Sequence, residues 1–231
     1  MWMLAVDTTT KNASVALARD NEIVALVAPR SEEQHSVQLF RNLEQAVAQA
    51  ALALRDIDVY AVANGPGAFT ALRVGLTVVK GLAEMHRKPV VPVSVLEAVC
   101  EAAHARGLLI PIVNAYRGQV FAGVYEKREV EITSCAPERV LTLPEFLTAL
   151  RAEGIRPETC TLVGPELSAW QAQIASSPFA FARREDVSPV LADAVARLGA
   201  RKFARGEAVD ALHLEANYVR RSDAELLWKQ E

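Results

Sequence analysis

The chain has 231 residues, 51% of them hydrophobic and 23% charged, with a formal net charge of −3. That length can bury one good core or two small ones, and the short cationic pairs Arg183-Arg184, Arg201-Lys202 and Arg220-Arg221 fall short of a nucleic-acid footprint. Cys100, Cys135 and Cys160 lie far apart without a CxxC, so neither a disulfide framework nor a zinc site is suggested; no apolar run reaches a membrane span and no basic leader opens the chain, so a soluble, cytoplasmic protein is expected.

Residues 2–7 read as a buried strand ending at Asp7, followed by the polar turn Thr8-Thr9-Thr10-Lys11-Asn12. Ser14–Ala18 and Ile23–Val27 follow as two strands around the turn Arg19-Asp20-Asn21-Glu22, so the opening is antiparallel β-β-β. A carboxylate at a strand end with hydroxyls beside it suits a phosphate or a hydrated metal, and an ordinary Asx or Ser/Thr turn uses the same residues. Ser31-Glu32-Glu33-Gln34 fits a capping box and predicts a helix to about Leu54. Its apolar stripe is Phe40, Leu43, Val47, Ala50 and Leu54, with Leu39 and Ala46 beside it. His35 has no second ligand nearby and reads as a surface or interface histidine.

Val59 to Ala63 is the next strand. Gly65-Pro66-Gly67 breaks it, and a helix is predicted from Ala68 to about His86. Strand, glycine turn and helix N-terminus together suit an anion; they also make a plain sharp turn that lets a helix pack closely. The helix is apolar most of the way round, with Leu72, Leu76, Val79, Leu82 and Ala83 on one face and Val74, Val78 and Met85 on another. Such a helix is buried on more than one side: one side covers its own sheet, and the other needs a neighbouring helix or another chain, or the helix is the centre of one large core. Gly75 and Gly81 in its interior each cost about 1 kcal/mol against alanine, a cost that makes sense where another backbone comes close.

Pro89–Val93 is a strand, and Ser94-Val95-Leu96-Glu97 is a second capping box that opens a helix to about Ala105. A pattern of the same kind then restarts: strands at Leu108–Asn114, Val120–Tyr125 and Val130–Ser134, a capped helix from Thr142 to about Ala152, a strand at Thr161–Val163 and a short helix near Trp170. Ser188-Pro189 predicts an N-cap and first turn for a helix to about Ala204. The β-β-β-α-β-α succession therefore occurs twice, the second copy eroded. The expected organisation is an N-terminal lobe over 1–106, completed by the helix at 188–205, a smaller second lobe over 107–187 and a C-terminal tail over 206–231.

The four histidines form no ligand-spaced pair, no GxSxG elbow exists, and no Gly-Lys-Ser/Thr follows the glycine turn. A phosphate-friendly architecture without a catalytic set suggests a degenerate relative of an enzyme, kept for binding. The opening Leu4-Ala5-Val6-Asp7-Thr8-Thr9, the His35-Ser36 helix start, the run Gly65-Pro66-Gly67-Ala68-Phe69-Thr70-Ala71-Leu72-Arg73-Val74-Gly75 and its continuation Lys80-Gly81-Leu82-Ala83 resemble the TsaB (YeaZ) family. So do Val93–Ala98, Asn114–Phe121 and Tyr218-Val219-Arg220.

The resemblance implies an α/β, actin/Hsp70/sugar-kinase-like fold of two related lobes, each a mixed sheet flanked by helices. It implies a non-catalytic partner of the TsaD-type threonylcarbamoyltransferase, joined by a TsaE-like ATPase, in making N6-threonylcarbamoyladenosine beside the anticodon of tRNAs reading ANN codons. tRNA is then met only through the complex, and the chain alone pairs as a homodimer. The docking surface it implies comes from the first two long helices, with His35, Leu39, Leu43, Val47, Leu72, Gly75, Val78, Val79 and Leu82 as its residues. The alternative is an ATPase or small-molecule kinase of the same fold, with Mg²⁺ on Asp7 and the phosphates of ATP or ADP at Thr8, Thr9, Gly65, Gly67 and Thr70. The chain departs from the family pattern at Ala68, Ala71 and Asn114, where serine, glycine and aspartate are usual; losing a hydroxyl and a carboxylate there weakens the nucleotide reading.

Overall fold

The computed structural model describes residues 1–10, 13–28 and 35–220, apart from the side chains of His35 and Ser36. The predicted capping box at Ser31–Gln34 lies outside the described residues. The chain opens with strands β1 (Trp2–Asp7), β2 (Ser14–Arg19) and β3 (Glu22–Val27), then helix α1 (His35–Gln49), β4 (Val59–Gly65), α2 (Phe69–His86), β5 (Val90–Ser94) and α3 (Val95–Ala102). β6 (Gly107–Asn114), β7 (Gln119–Arg128), β8 (Glu131–Thr142), α4 (Leu143–Ala152), β9 (Cys160–Gly164), α5 (Gln171–Ala175), β10 (Arg183–Asp186) and α6 (Ala192–Ala204) follow.

Two compact units result: residues 1–98 with 190–218, and residues 99–189 with 219–220, counted over the described residues. The division falls at 98/99 where the sequence suggested 106/107, and residues 206–218, expected as a tail, belong to the first unit. Val209 pairs with Val90 at the edge of its sheet, and Ala211 and Leu214 are buried in its core.

In the first unit the strands run β3-β2-β1-β4-β5, antiparallel through β1 and parallel from β1 onward. β1 is central because its run is apolar without alternation, as a strand covered on both faces requires. One face packs Leu4, Val6, Leu17, Tyr60 and Val62 against Leu39 and Leu43 of α1 and Leu72, Leu76 and Val79 of α2. The other face is lined by small residues and takes α6 closely: a Cβ built on Gly199 would lie 2.7 Å from the Cβ of Ala61.

The second unit repeats this order. Its sheet runs β8-β7-β6-β9-β10, with β6 antiparallel to β7 and parallel to β9. β6, β7, β8, β9 and β10 therefore stand where β1, β2, β3, β4 and β5 stand in the first unit. This duplication is that of the actin/Hsp70/sugar-kinase-like fold. α4 covers one face with Phe146, Leu147 and Leu150. It begins in the predicted capping box: Thr142 Oγ1 accepts from Glu145 N, and the Glu145 carboxylate accepts from Thr142 N at 3.0 Å.

Two expectations are corrected. α6 begins at Ala192, not at Ser188-Pro189: buried Leu191 is the N-cap, and its carbonyl accepts the first helical bond from Val195 N at 2.8 Å. β8 runs on from Glu131 to Thr142, twice the expected length, because an edge strand tolerates Pro137 and its register with β7 shifts there. No helix among the described residues is long and apolar enough to cross a membrane.

Candidate functional site

β4 ends at Gly65, whose φ is +124°, and the cis peptide to Pro66 leads through Gly67 into α2. Of the residues the sequence singled out, Thr9 lies against Gly67, Gly65 meets Asn217, and Thr70 is exposed on the first turn of α2. The hydroxyls of Thr8 and Thr9, however, bond within the fold. Asp7 Oδ1 accepts from Thr9 N at 2.8 Å and from Thr9 Oγ1 at 2.5 Å. Thr8 Oγ1 donates to the carbonyl of Ala71 at 2.7 Å. A Cβ on Gly67 would lie 2.9 Å from Thr9 Cβ, so the threonine fills the hollow of the turn.

The outer side of the turn is taken by a segment that the sequence did not announce. Residues 214–218 form a strap, in which Asn217 N donates to Asn64 O at 2.7 Å and Asn64 Nδ2 donates to Glu215 O at 3.1 Å. A Cβ on Gly65 would stand 2.5 Å from Asn217 O. Glycine is needed here for its positive φ and for the passage of the strap's carbonyl.

α2 has three faces. Ala71, Leu72, Gly75, Leu76, Val79 and Ala83 are buried against the sheet. Gly75 faces Thr8: a Cβ there would lie 2.5 Å from Thr8 Oγ1. One flank carries Val74, Val78 and Leu82, half-buried, and Met85, which is 73% exposed; the opposite flank carries Phe69, Arg73, Thr77 and Lys80. Of the nine residues expected at a docking surface, Leu39, Leu43, Leu72, Gly75 and Val79 are buried inside the unit and serve its own core. Each such aliphatic side chain contributes about 1.5–3 kcal/mol by burial, which commits that face to the sheet. Val47, Val78 and Leu82 are half-buried, and the His35 side chain lies outside the described residues. The apolar surface that is exposed comes instead from Val37 (47%), Phe40 (55%) and Met85, with Gly81 facing open space. Phe40 was expected in the core stripe of α1; it points outward. Met85 was legible as part of a second apolar face.

The family model described as "TsaD: tRNA N6-adenosine threonylcarbamoyltransferase" matches residues 26–211. The tRNA threonylcarbamoyladenosine biosynthesis protein TsaB of Bacillus subtilis is 31% identical over 152 residues, 65% of this chain and 66% of that protein. TsaB of Escherichia coli is 27% identical over 235 residues, 100% of this chain and 98% of that protein. A crystal structure from Pseudomonas aeruginosa, of a protein described by its similarity to peptidase YEAZ, matches with a TM-score of 0.79 and 26% identity over 95% of this chain and 99% of that one. The chain belongs to the TsaB (YeaZ) family.

The departures from the TsaB pattern have visible consequences. Ala68 is the N-cap of α2 and supplies no side-chain bond. Asn114 Oδ1 accepts from Tyr116 N at 2.8 Å, an Asx turn that starts the left-handed run Tyr116-Arg117-Gly118. Elsewhere the ionisable groups hold the fold. Burial raises Glu97 above the usual carboxylate range although Lys202 of α6 lies 3.1 Å away. Burial pushes the Cys160 thiol up to about 11. Among the described residues no group of histidine, cysteine, aspartate and glutamate side chains is arranged to hold a metal ion.

Proposed function

We propose that this chain is a non-catalytic subunit that docks on a TsaD-type threonylcarbamoyltransferase and activates it, in forming N6-threonylcarbamoyladenosine beside the anticodon of tRNAs reading ANN codons. Membership of the TsaB family supports the coarser part, a role in tRNA threonylcarbamoyladenosine biosynthesis. A TsaE-like ATPase joins the pair in the cytoplasm, tRNA is met through the complex, and the free chain pairs with a second copy.

The observation that carries the docking role is the uncharged flank of α2. Val74, Val78, Gly81, Leu82 and Met85 recur there at helical spacing, with Met85 largely in solvent. α1 lies beside α2 over the same face of the sheet and adds exposed Phe40 and half-buried Val47, seven residues apart on one flank. Large exposed apolar side chains grouped on adjacent helices mark an interaction site. Gly81 leaves a notch where a partner helix can approach closely. The test mixes the chain with the purified transferase and reads the mass of the complex by light scattering. Gly81→Glu/Met85→Asp should abolish the complex with the melting temperature of the free chain nearly unchanged, since Gly81 faces open space and Met85 is 73% exposed; a complex that persists places docking elsewhere.

The second reading, an ATPase or kinase, is favoured by the convergence of Asp7, Thr8 and Thr9 on the glycine turn. Against it, the Thr8 and Thr9 hydroxyls bond inward and the strap passes over Gly65. Calorimetry with Mg-ATP decides between the readings: tight binding lost in Asp7→Asn would restore the enzyme.

A further inference from the structure

The flank of α2 opposite the proposed docking face bears a second feature, built on different residues. The Arg73 guanidinium lies over the Phe69 ring, 3.7 Å from its centroid, and Arg73 Nε donates to Tyr218 Oη at 3.2 Å. The Phe69 and Tyr218 rings stack with centroids 5.2 Å apart and planes at 29°. This cluster pins the strap alongside the helix and leaves an open groove of about 550 Å³ between them. Its floor is aliphatic, from Leu76, Leu214 and Ala216. Its helix wall carries Arg73, Thr77 and Lys80, and its strap wall carries Glu215.

The groove has two cations against one carboxylate. Lys80 makes no hydrogen bond or ion pair with any described residue, and the terminal nitrogens of Arg73 make none either. Arg73 and Lys80 are seven residues apart, so their Cα atoms are separated by about 10 Å along the helix axis. A peptide in the polyproline II conformation rises about 9 Å in three residues and completes one turn, so positions i and i+3 face the same wall. Two carboxylates three positions apart therefore match the two cations, and an aliphatic side chain between them meets the floor.

We propose that this groove is a docking site for an extended acidic segment of a partner protein, of the form acid, two residues including one aliphatic, acid. Charge complementarity selects the carboxylates, and the aliphatic floor selects a peptide, because the groove's flat groups, Tyr218 and the Arg73 guanidinium, are already engaged on the Phe69 ring. Arginine and tyrosine at the rim are the residue types that dominate interface energetics.

The test titrates the full-length chain into a labelled peptide with a Glu-Ala-Leu-Glu core, read by fluorescence anisotropy, beside a Lys-Ala-Leu-Lys control. Saturable, salt-sensitive binding is expected for the acidic peptide alone, weakened about tenfold in Lys80→Glu and further in Arg73→Glu/Lys80→Glu. Lys80 has no partner among the described residues, so its single variant reports binding and not folding. Met85→Asp should leave peptide binding unchanged, which separates this site from the proposed transferase face. No saturable binding up to millimolar peptide, or equal binding by Lys80→Glu, overturns the proposal. Binding of a labelled single-stranded RNA in place of the peptide, lost in the same variants, overturns it in favour of nucleic acid.

Discussion

The hydroxyl of Thr8 sits in the notch that Gly75 leaves in α2, where an added Cβ would lie 2.5 Å from Thr8 Oγ1. That oxygen is also bonded to the carbonyl of Ala71, one turn earlier on the same helix, at 2.7 Å. The glycine thus joins the first strand's turn to the helix within one unit. Gly75→Ala should cost about 1–3 kcal/mol through overpacking, measured by urea unfolding. Gly81→Ala meets nothing within 4 Å and should gain up to about 1 kcal/mol from helix propensity. Equal stability of the two variants would contradict the distinction.

Lys127 closes α3. Its buried ammonium donates to the carbonyls of Cys100 at 2.9 Å, Glu101 at 3.0 Å and Ala103 at 2.5 Å. A cation at a helix C-terminus satisfies carbonyls that have no intrahelical donor and complements the helix dipole. Lys127→Met should lower stability by about 2 kcal/mol. It should also raise amide exchange across 99–103, read by hydrogen–deuterium exchange.

Glu185, on the edge strand β10, holds the end of the segment after α3. Its carboxylate accepts from His104 N at 2.6 Å, from Ala105 N at 2.9 Å and faces His104 Nδ1 at 3.0 Å. Burial alone would raise its pKa, and these amide and ring bonds outweigh it, leaving the group below the ordinary glutamate value of 4.5. Because the folded value is the lower one, the carboxylate's contribution is full above about 4.5 and is lost as pH falls through the folded value. Urea midpoints of the parent should therefore drop more steeply than those of Glu185→Gln between pH 5 and 3, expressed as about that window. Parallel curves would remove Glu185 from the account.

The doubled sheet was legible wherever a strand is apolar. β1, β4, β6 and β9 are central or nearly so, and their uninterrupted Val, Leu, Ile and Ala runs gave them away. β10 was not legible: Arg183-Arg184-Glu185-Asp186 is a four-residue charged edge, paired on one side to β9, with no buried face to impose a pattern. Its absence made the second copy look eroded when all five strand positions are filled.

The glycine turn was legible as a turn, and the convergence of Asp7, Thr8 and Thr9 upon it followed from the strand ends. The strap over it was not, because Asn217 and Tyr218 reach Asn64, Phe69 and Arg73 from about 150 residues away. The docking residues divided for a geometric reason. Hydrophobic spacing located the faces of α1 and α2 but could not say which of two apolar faces lies on the sheet. Val79 went inward, while Met85 and Phe40 went outward.

The docking flank makes a further prediction for the free chain. Sedimentation should show a concentration-dependent dimer in the parent chain, and Gly81→Glu/Met85→Asp should hold it monomeric with unchanged circular dichroism. A dimer of equal strength in the variant would assign self-association to another surface.

The central claim is that the chain enables a tRNA-modifying transferase by docking, with no chemistry of its own. The most direct measurement is threonylcarbamoylation of tRNA by the purified TsaD-type transferase and TsaE-like ATPase, with and without this chain. The account predicts modification with the parent chain and with Asp7→Asn, provided the latter folds, and loss of modification without the chain or with Gly81→Glu/Met85→Asp. Equal modification in the absence of the chain would contradict it.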